Sequence, residues 1–168
     1  MKKLRTVFLV YLILFLVSWK KESLQNYLFE CENRKEVTSL NIPISIIELA
    51  ENNLNAEEKA IYKTIRKVNF TGFLAEKIDE STYEIEKNRV KKILGSSSYK
   101  KLIGFNDNGN SFSFYRIANS DTIDEIIVFG YGKEQGIGIA RILGDDMKPE
   151  KIISLLKSSK INFDSLGI

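Results

Sequence analysis

The feature that most constrains the fold is a stretch between residues 112 and 139 in which apolar side chains recur at alternate positions. Its members are Phe112, Phe114, Ile126, Val128, Ile137 and Ile139. A spacing of two is the side-chain period of a β-strand, because successive side chains point to opposite faces. Short polar or glycine-containing segments interrupt the pattern twice, as hairpin turns do. The sequence therefore predicts three consecutive strands.

Capping patterns around these strands predict helices. They are Asn55 with Glu58, Ser81 with Glu84, and Asp145-Asp146 ahead of Pro149. We also predict two strands and two short helices from apolar periodicity; the strands are 38–43 and 67–75, and the helices 44–53 and 99–103. The segments together predict the α+β class, with a mostly antiparallel sheet of about five strands and helices packed on one face. A single globular domain is expected at residues 37–160.

Composition excludes several kinds of site. The chain has no histidine, which removes the commonest general base and the commonest zinc ligand. Cys31 is the only cysteine, so there is no internal disulfide, and no obvious base would activate its thiol. Without Lys2, Lys3 and Arg5, the 25 basic residues become 22, equal to the 22 acidic residues. Nucleic-acid-binding domains normally show a basic surplus. We therefore expect no catalytic residue, metal, cofactor or nucleic-acid partner.

The N-terminus has the pattern of an export segment. Basic residues precede a run of 11 apolar residues, Val7 to Val17. That length suits a signal-peptide core and falls short of the roughly 17–25 residues of a transmembrane helix. We predict a signal peptide or signal anchor at residues 1–19 and a tether with a short helix at 20–36. The expected location is the periplasm or cell envelope, with membrane association through the N-terminus.

Trp19 stands where a lipoprotein signal would carry the cysteine that receives the lipid. It follows Leu16-Val17-Ser18, which suits such a signal. Signal peptidase prefers small residues at the first and third positions before its cut, and Leu16 is too large. We therefore expect export without lipidation at Trp19, and slow cleavage after Ser18.

Several motifs that suggest ligands are better explained as turns or edges. The glycine-rich segment 130–138 lies between two predicted strands, whereas a dinucleotide-binding loop connects a strand to a helix. Segment 106–110 lacks the ligand spacing of a calcium-binding EF-hand loop and predicts a turn. Asp121, Asp124 and Glu125 are predicted to be solvated edge charges that discourage strand pairing.

Three residues are candidates for a shallow binding surface, namely Tyr115, Tyr131 and Arg141. Each lies in a predicted strand, and they would line such a surface if they shared one face of the sheet. The alternative is that they are ordinary half-buried sheet residues, since tyrosine is common in strands.

Four segments carry a resemblance to a known family. They are SLNIPIS at 39–45, KVNF at 67–70, YKKL at 99–102 ahead of the DNG turn at 107–109, and ILGDDMKPE at 142–150. Over residues 23–156 the chain resembles domain of unknown function 4252, found in exported and lipoprotein-like proteins of Bacteroidetes-type bacteria. Such proteins usually carry a lipidation cysteine where this chain has Trp19. The resemblance implies an envelope location and these domain limits, and it implies no catalytic residues.

Three functions remain open at this point. The favoured one is a non-enzymatic envelope domain that binds an unknown envelope protein or small ligand, because no catalytic constellation is present. A small-ligand or lipid carrier would need an apolar cavity between sheet and helices. A carboxylate-based hydrolase would need two acids in one pocket, drawn from Asp107, Asp121, Asp124 and Asp145.

Overall fold

The computed structural model describes residues 22–43, 55–120 and 122–158. Its elements are, in order, α1 Leu24–Cys31, β1 Val37–Pro43, α2 Ala56–Tyr62, β2 Ile65–Leu74, a 3-10 turn Ala75–Lys77, α3 Glu80–Leu94, β3 Tyr99–Asp107, β4 Asn110–Ile117, β5 Glu125–Gly132, β6 Gly136–Gly144 and α4 Pro149–Ser158. The predicted export segment, the predicted helix at 44–53 and Asp121 lie outside the described residues. Within those residues, no helix is both long and apolar enough to cross a membrane.

The six strands form one sheet in the order β1-β2-β6-β5-β4-β3, and all neighbours pair antiparallel. The three strands expected from the alternating pattern are β4, β5 and β6. The α+β class with a mostly antiparallel sheet is therefore confirmed. The sheet has one strand more than the five expected.

The additional strand is β3, which replaces the helix predicted at residues 99–103. It pairs with β4 along its length, with a register shift between Lys101 and Ile103. This bulge leaves Leu102 as an extra residue, and an extra residue breaks the strict alternation of side chains. The apolar pattern around Leu102 therefore no longer shows the period of a strand, although pairing with β4 makes it one.

The face of the sheet that carries Ile127 and Phe129, here the first face, packs against α1 and α3. Four α1 side chains enter this core, and each is at most 8% exposed: Leu24, Tyr27, Leu28 and Cys31. Their spacing of three, four and seven residues is that of one helix face. The packed domain therefore includes α1, which lies in the segment predicted as a tether, and begins before residue 37.

The opposite, second face carries Ile126 and Val128 and packs against α2 and α4. Ile61 and Ile152 contribute from these helices, together with Met147 from the turn before α4. Helices therefore pack on both faces, where the sequence predicted one. The sequence signal for helices on both faces is the uninterrupted apolar run 126–129 in β5. A strand that is buried on both faces does not show an alternation of apolar and polar residues.

Local capping decides where the helices begin. At α2 the predicted capping box is present: Asn55 Oδ1 accepts from the Glu58 N–H at 3.0 Å, and Glu58 Oε2 accepts from the Asn55 N–H at 2.9 Å. At α3 the predicted Ser81 cap is wrong, because Asp79 is the N-cap. Its carboxylate accepts from the Thr82 N–H at 2.7 Å. A charged acceptor at this position also interacts favourably with the helix dipole.

Candidate binding surface

The strand register places the three predicted surface residues on the first face. Tyr115 and Arg141 lie on either side of Ile127, and Tyr131 is four residues further along β5. Two strand spacings, about 10 Å, separate the backbones of Tyr115 and Arg141. The fully buried Ile127 side chain lies between them. The three residues therefore share a face without forming one cluster.

Arg141 is engaged within the protein. Its Nε and Nη2 donate to Glu125 Oε1 and Oε2 at 2.6 and 3.1 Å, and Nη1 donates to Gln25 Oε1 at 2.9 Å. The Arg141 and Glu125 side chains are only 19% and 14% exposed, so this bidentate pair is well shielded from solvent. Glu125 is therefore not the solvated edge charge predicted from the sequence. Through its hydrogen bond to Gln25, Arg141 also links the start of α1 to the sheet.

A polar surface lies on the first face along β3 and β4, at the edge of the core against which Tyr115 and Tyr131 pack. Direct pairing aligns Ser111 with Asn106, Ser113 with Gly104, and Tyr115 with Lys101. All six residues are half-buried or exposed. Tyr131 borders them on β5, opposite Ser111. We call these seven residues the β3–β4 shelf.

Lysines border the shelf on two sides. On the α3 side, Lys91 Nζ lies 4.3 Å from the centre of the Tyr131 ring. Lys87 Nζ lies 5.9 Å from the same ring and forms an ion pair with Glu84. On the outer side, Lys101 Nζ lies 2.7 Å from the point where a Gly104 Cβ would stand. The Lys101 side chain therefore extends over Gly104, which leaves room for it.

Ser111 connects two neighbouring side chains of the shelf. Ser111 Oγ donates to Asn106 Oδ1 at 2.7 Å. A hydrogen bond with Ser111, reinforced by the Lys91 ammonium group, lowers the pKa of Tyr131. Both effects favour the phenolate form of Tyr131.

A buried polar network joins α1 to α3 at a distance from the shelf. Glu86 is 5% exposed, accepts from the Tyr27 hydroxyl at 3.0 Å and forms an ion pair with Arg34. Burial raises the pKa of Tyr27, and burial also raises the pKa of the Cys31 thiol. A thiol with a raised pKa is a poor nucleophile. The network therefore ties the two helices together and offers no reactive group.

Asp107 lies apart from the other described acids that a hydrolase would use, whereas Asp124 and Asp145 lie at one turn, where both are exposed. Asp107 ends β3, whereas Asp124 precedes β5 at the opposite end of the sheet. Asp124 Oδ2 accepts from Thr122 Oγ1 at 2.6 Å, which lowers its pKa, and its Oδ1 accepts from the Asp146 N–H at 3.3 Å. Asp145 pairs with Arg66 at 3.4 Å. These carboxylates organise turns.

The glycine-rich segment is the β5–β6 hairpin, with its turn at residues 133–135. Gly136 has a φ of 99°, and a Cβ on it would stand 2.0 Å from the Phe73 carbonyl oxygen. The β3–β4 turn predicted from residues 106–110 is also present, with Asn108 and Gly109 at φ values of 46° and 81°. Both positive values are typical of a two-residue hairpin turn.

Comparison with known families decides the classification. Residues 29–155 match the family described as Domain of unknown function (DUF4252). The chain belongs to the DUF4252 family. The match runs from α1 into α4, so the DUF4252 domain contains the whole sheet and the shelf. No curated protein and no solved structure matches the chain significantly.

Of the seven shelf residues, the sequence analysis named Tyr115 and Tyr131 as candidates and did not name the other five. The strand residues of the shelf were visible in principle, because Ser111, Ser113 and Tyr115 alternate and must share a face. The lysines could not be assigned, since Lys91 comes from a helix and Lys101 precedes the β3 bulge. Their approach to the shelf depends on how α3 packs and on where β3 shifts register.

Proposed function

We propose that this DUF4252 protein is an exported, non-enzymatic binding domain of the cell envelope, and that the β3–β4 shelf is its binding surface. The observation that carries the proposal is the contrast within the first face. Its central strands are covered by α1 and α3, whereas the shelf presents serine and tyrosine hydroxyl groups, with Lys91 beside Tyr131 and Lys101 over Gly104. A polar surface with fixed hydroxyls and cations can select a ligand by charge and hydrogen bonding.

The N-terminal sequence supports an envelope location and membrane association. Three basic residues precede the 11-residue apolar run that ends at Val17, and only residues 18–23 separate that run from α1. A stretch of this length spans at most about 25 Å. If the apolar run is retained at the membrane, the DUF4252 domain stays close to the lipid surface.

The two alternative functions receive less support. One surface pocket, of about 200 Å³, contains the Glu125–Arg141 ion pair. Another, of about 310 Å³ between α2 and α4, is lined by charged residues such as Glu57 and Lys151. Neither is the apolar cavity that a lipid carrier needs. Among the described acids, Asp107 is separated from Asp124, and Asp124 and Asp145 lie together at an exposed turn and not in a pocket.

Site-specific photocrosslinking in intact cells tests the proposal. A photoreactive side chain would replace Ser113 on the shelf, Ile85 on the exposed side of α3, or Lys63 after α2. Ile85 is 61% exposed and reports a partner on the helical layer. Lys63 is exposed beside the second face and serves as the control. We expect a discrete adduct from Ser113 alone, in the envelope fraction.

Two results would overturn this proposal. An adduct from Ile85 without one from Ser113 would move the binding surface to the helices. Recovery of the whole chain in the cytoplasmic fraction would contradict export.

A further inference from the structure

We infer that the outer edge of β1 pairs with the same strand of a second copy of this chain. The pairing is antiparallel and centred on Leu40, and it joins two six-stranded sheets into one. It goes beyond the proposed function, because β1 and the shelf lie at opposite edges of the sheet. It follows from the direction of the β1 backbone groups, from the absence of charge along β1, and from the match between its side chains and their own reversed order.

The backbone groups of Ser39 and Asn41 point away from β2. At the end of the β2–β6 ladder, the Ala75 N–H donates to the Gln135 carbonyl oxygen at 3.3 Å. In an antiparallel pair, alternate residues direct both backbone groups to the same neighbouring strand. Odd-numbered β2 residues therefore bond to β6, and even-numbered ones bond to β1, where their partners are also even-numbered. Within the described residues, no strand pairs with the other side of β1.

The β1 edge lacks the protection found on the other edge strand. β3 carries Lys100 and Lys101, and its bulge interrupts the ladder with β4. Charges and bulges on an edge strand discourage pairing with another chain. β1 has no charged residue in its seven positions and pairs with β2 in one uninterrupted register. Pro43 removes a donor only at the last position, so the rest of this edge can accept another strand.

The side chains of β1 match a second β1 strand that runs in the opposite direction. With Leu40 opposite Leu40 of the second copy, Ser39 lies opposite Asn41. Ser39 and Asn41 are exposed on the first face, whereas Leu40 is half-buried on the second face. Polar side chains therefore meet on one face and leucines on the other, and such directly opposed pairs stabilise adjacent strands. The outward backbone groups of Ser39 also lie opposite those of Asn41, as a hydrogen-bonded pair requires.

The same match selects the register and favours a second copy as the partner. Because side chains alternate, the smallest shift that keeps each face on its own side is two residues. That shift would place Ser39 opposite Pro43, or Asn41 opposite Val37, and would leave residues at the strand ends unpaired. Centring on Leu40 pairs all seven residues and gives the self-complementary contact of a two-fold symmetric dimer.

Disulfide trapping of the purified full chain in neutral detergent tests this inference. Leu40→Cys places a thiol at the centre of the pairing, where opposed Cα atoms of a non-hydrogen-bonded pair lie about 4.5 Å apart, within the range of a disulfide. Leu102→Cys is the matched control, because Leu102 is also a half-buried leucine in an edge strand. The native chain, with only the buried Cys31, gives the background. Under mild oxidation we expect a covalent dimer from Leu40→Cys, at least about ten-fold above the yield from Leu102→Cys.

Mixed chains test the register. Ser39→Cys and Asn41→Cys chains should form a mixed disulfide when combined, because these positions are directly opposed. Either chain alone should form far less, since diagonal positions lie about 7–8 Å apart. Intact mass distinguishes the mixed dimer from the two homodimers.

An edge charge tests the association without a covalent bond. Ser39→Lys adds a lysine to β1, and Asn106→Lys adds the same charge to β3, where the residue is also exposed. In sedimentation measurements with density-matched detergent, we expect Ser39→Lys to weaken self-association at least about ten-fold and Asn106→Lys less than about two-fold.

Three results would overturn the inference. Equal dimer yields from Leu40→Cys and Leu102→Cys, or none from Leu40→Cys, would refute pairing through β1. Ser39→Cys alone giving as much dimer as the mixture would refute the register centred on Leu40. Self-association that is absent in the native chain, or equally strong in both lysine variants, would exclude β1 as the interface.

Discussion

At the scale of single residues, glycines in this chain serve different purposes according to what adjoins them. A Cβ on Gly144 would stand 2.1 Å from the Thr64 carbonyl oxygen, which belongs to the backbone. Asp145 N–H donates to the same oxygen at 2.8 Å, so this approach is part of the turn that leads into α4. A Cβ on Gly104 would instead meet the end of the flexible Lys101 side chain. Only the first contact is rigid.

We therefore expect Gly144→Ala to lower the free energy of unfolding by about 2 kcal/mol or more, because two backbone segments must separate. Gly104→Ala serves as the control and should cost less than about 0.5 kcal/mol, since Lys101 can move. Chemical denaturation of both variants measures the difference. Equal losses would contradict the assignment of Gly144 to a close backbone contact.

Tyr131 reports the electrostatic character of the shelf. Its hydrogen bond with Ser111 and its proximity to Lys91 lower its pKa, whereas burial raises the pKa of Tyr27. We expect Ser111→Ala and Lys91→Gln each to raise the pKa of Tyr131, because each removes a group that stabilises the phenolate. Ultraviolet titration, with Tyr131→Phe to identify the signal, measures this. An unchanged pKa in both variants would contradict the positive environment of the shelf.

At the scale of elements, the sequence predicts best where local signals agree with the final pairing. Strands β4 to β6 follow from alternation and short turns, and α2 follows from its capping box. β3 was not predictable from its own residues, because its bulge disrupts the period and pairing with β4 decides its conformation. A short helix was predicted within residues 20–36, but its packing into the core was not, since eight residues form a stable helix only when packed.

The N-cap of α3 gives a pH-dependent prediction. Hydrogen bonds from Thr82 lower the pKa of Asp79 in the folded state. The resulting stabilisation is complete above the ordinary aspartate pKa of about 3.9 and is lost as pH falls through the lowered folded-state value. Asp79→Asn keeps a capping oxygen that does not titrate, so the free energy of unfolding should depend less on pH in this acid range.

The control for this measurement is Asp107→Asn, an exposed aspartate at the end of β3, away from any helix N-terminus. Urea unfolding at a series of pH values between about 2.5 and 6 compares the variants. An acid-range slope unchanged by Asp79→Asn would show that the Asp79 charge does not contribute to the cap.

At the scale of the whole molecule, α1 is part of the packed domain, although it lies before the predicted start of that domain at residue 37. Its buried side chains complete the core on the first face of the sheet. Glu86, which lies in α3, accepts a hydrogen bond from Tyr27 and forms an ion pair with Arg34. Burying one large apolar side chain stabilises a protein by about 1.5–3 kcal/mol, and total stability is only about 5–15 kcal/mol. We expect residues 22–158 to unfold cooperatively and residues 37–158 to lose most of that stability. Equal denaturation midpoints for the two fragments would show that α1 does not stabilise the domain and acts only as a tether.

The sequence predicts that the three candidate residues share one face of the sheet, but it does not show what surrounds them there. Side chains alternate between the two faces along a strand, so Tyr115, Tyr131 and Arg141 could be assigned to one face once the strands were paired. This alternation does not show which residues a helix covers or which charges are neutralised. Arg141 is held by Glu125, and Lys91 comes from α3, and both facts depend on packing between distant segments.

If the protein is exported as proposed, Trp19 is the residue that decides whether it is lipidated, and it lies outside the described residues. We expect Trp19→Cys to produce a lipid-modified form that has lost the signal segment, because it restores the acceptor thiol that lipidation requires. Trp19→Phe is the control and should remain unmodified. Intact-mass measurement distinguishes the forms. An unmodified cysteine variant would show that the resemblance to a lipoprotein signal is accidental.

The most direct measurement of binding at the shelf is the yield of the Ser113 photoadduct in intact cells, compared among three chains. These are the otherwise native chain, Lys91→Gln/Lys101→Gln and Lys92→Gln/Lys100→Gln. Binding at the β3–β4 shelf predicts a discrete adduct that the first double variant loses and the second retains. An adduct of equal yield in all three chains, or none from Ser113 in the native chain, would contradict it.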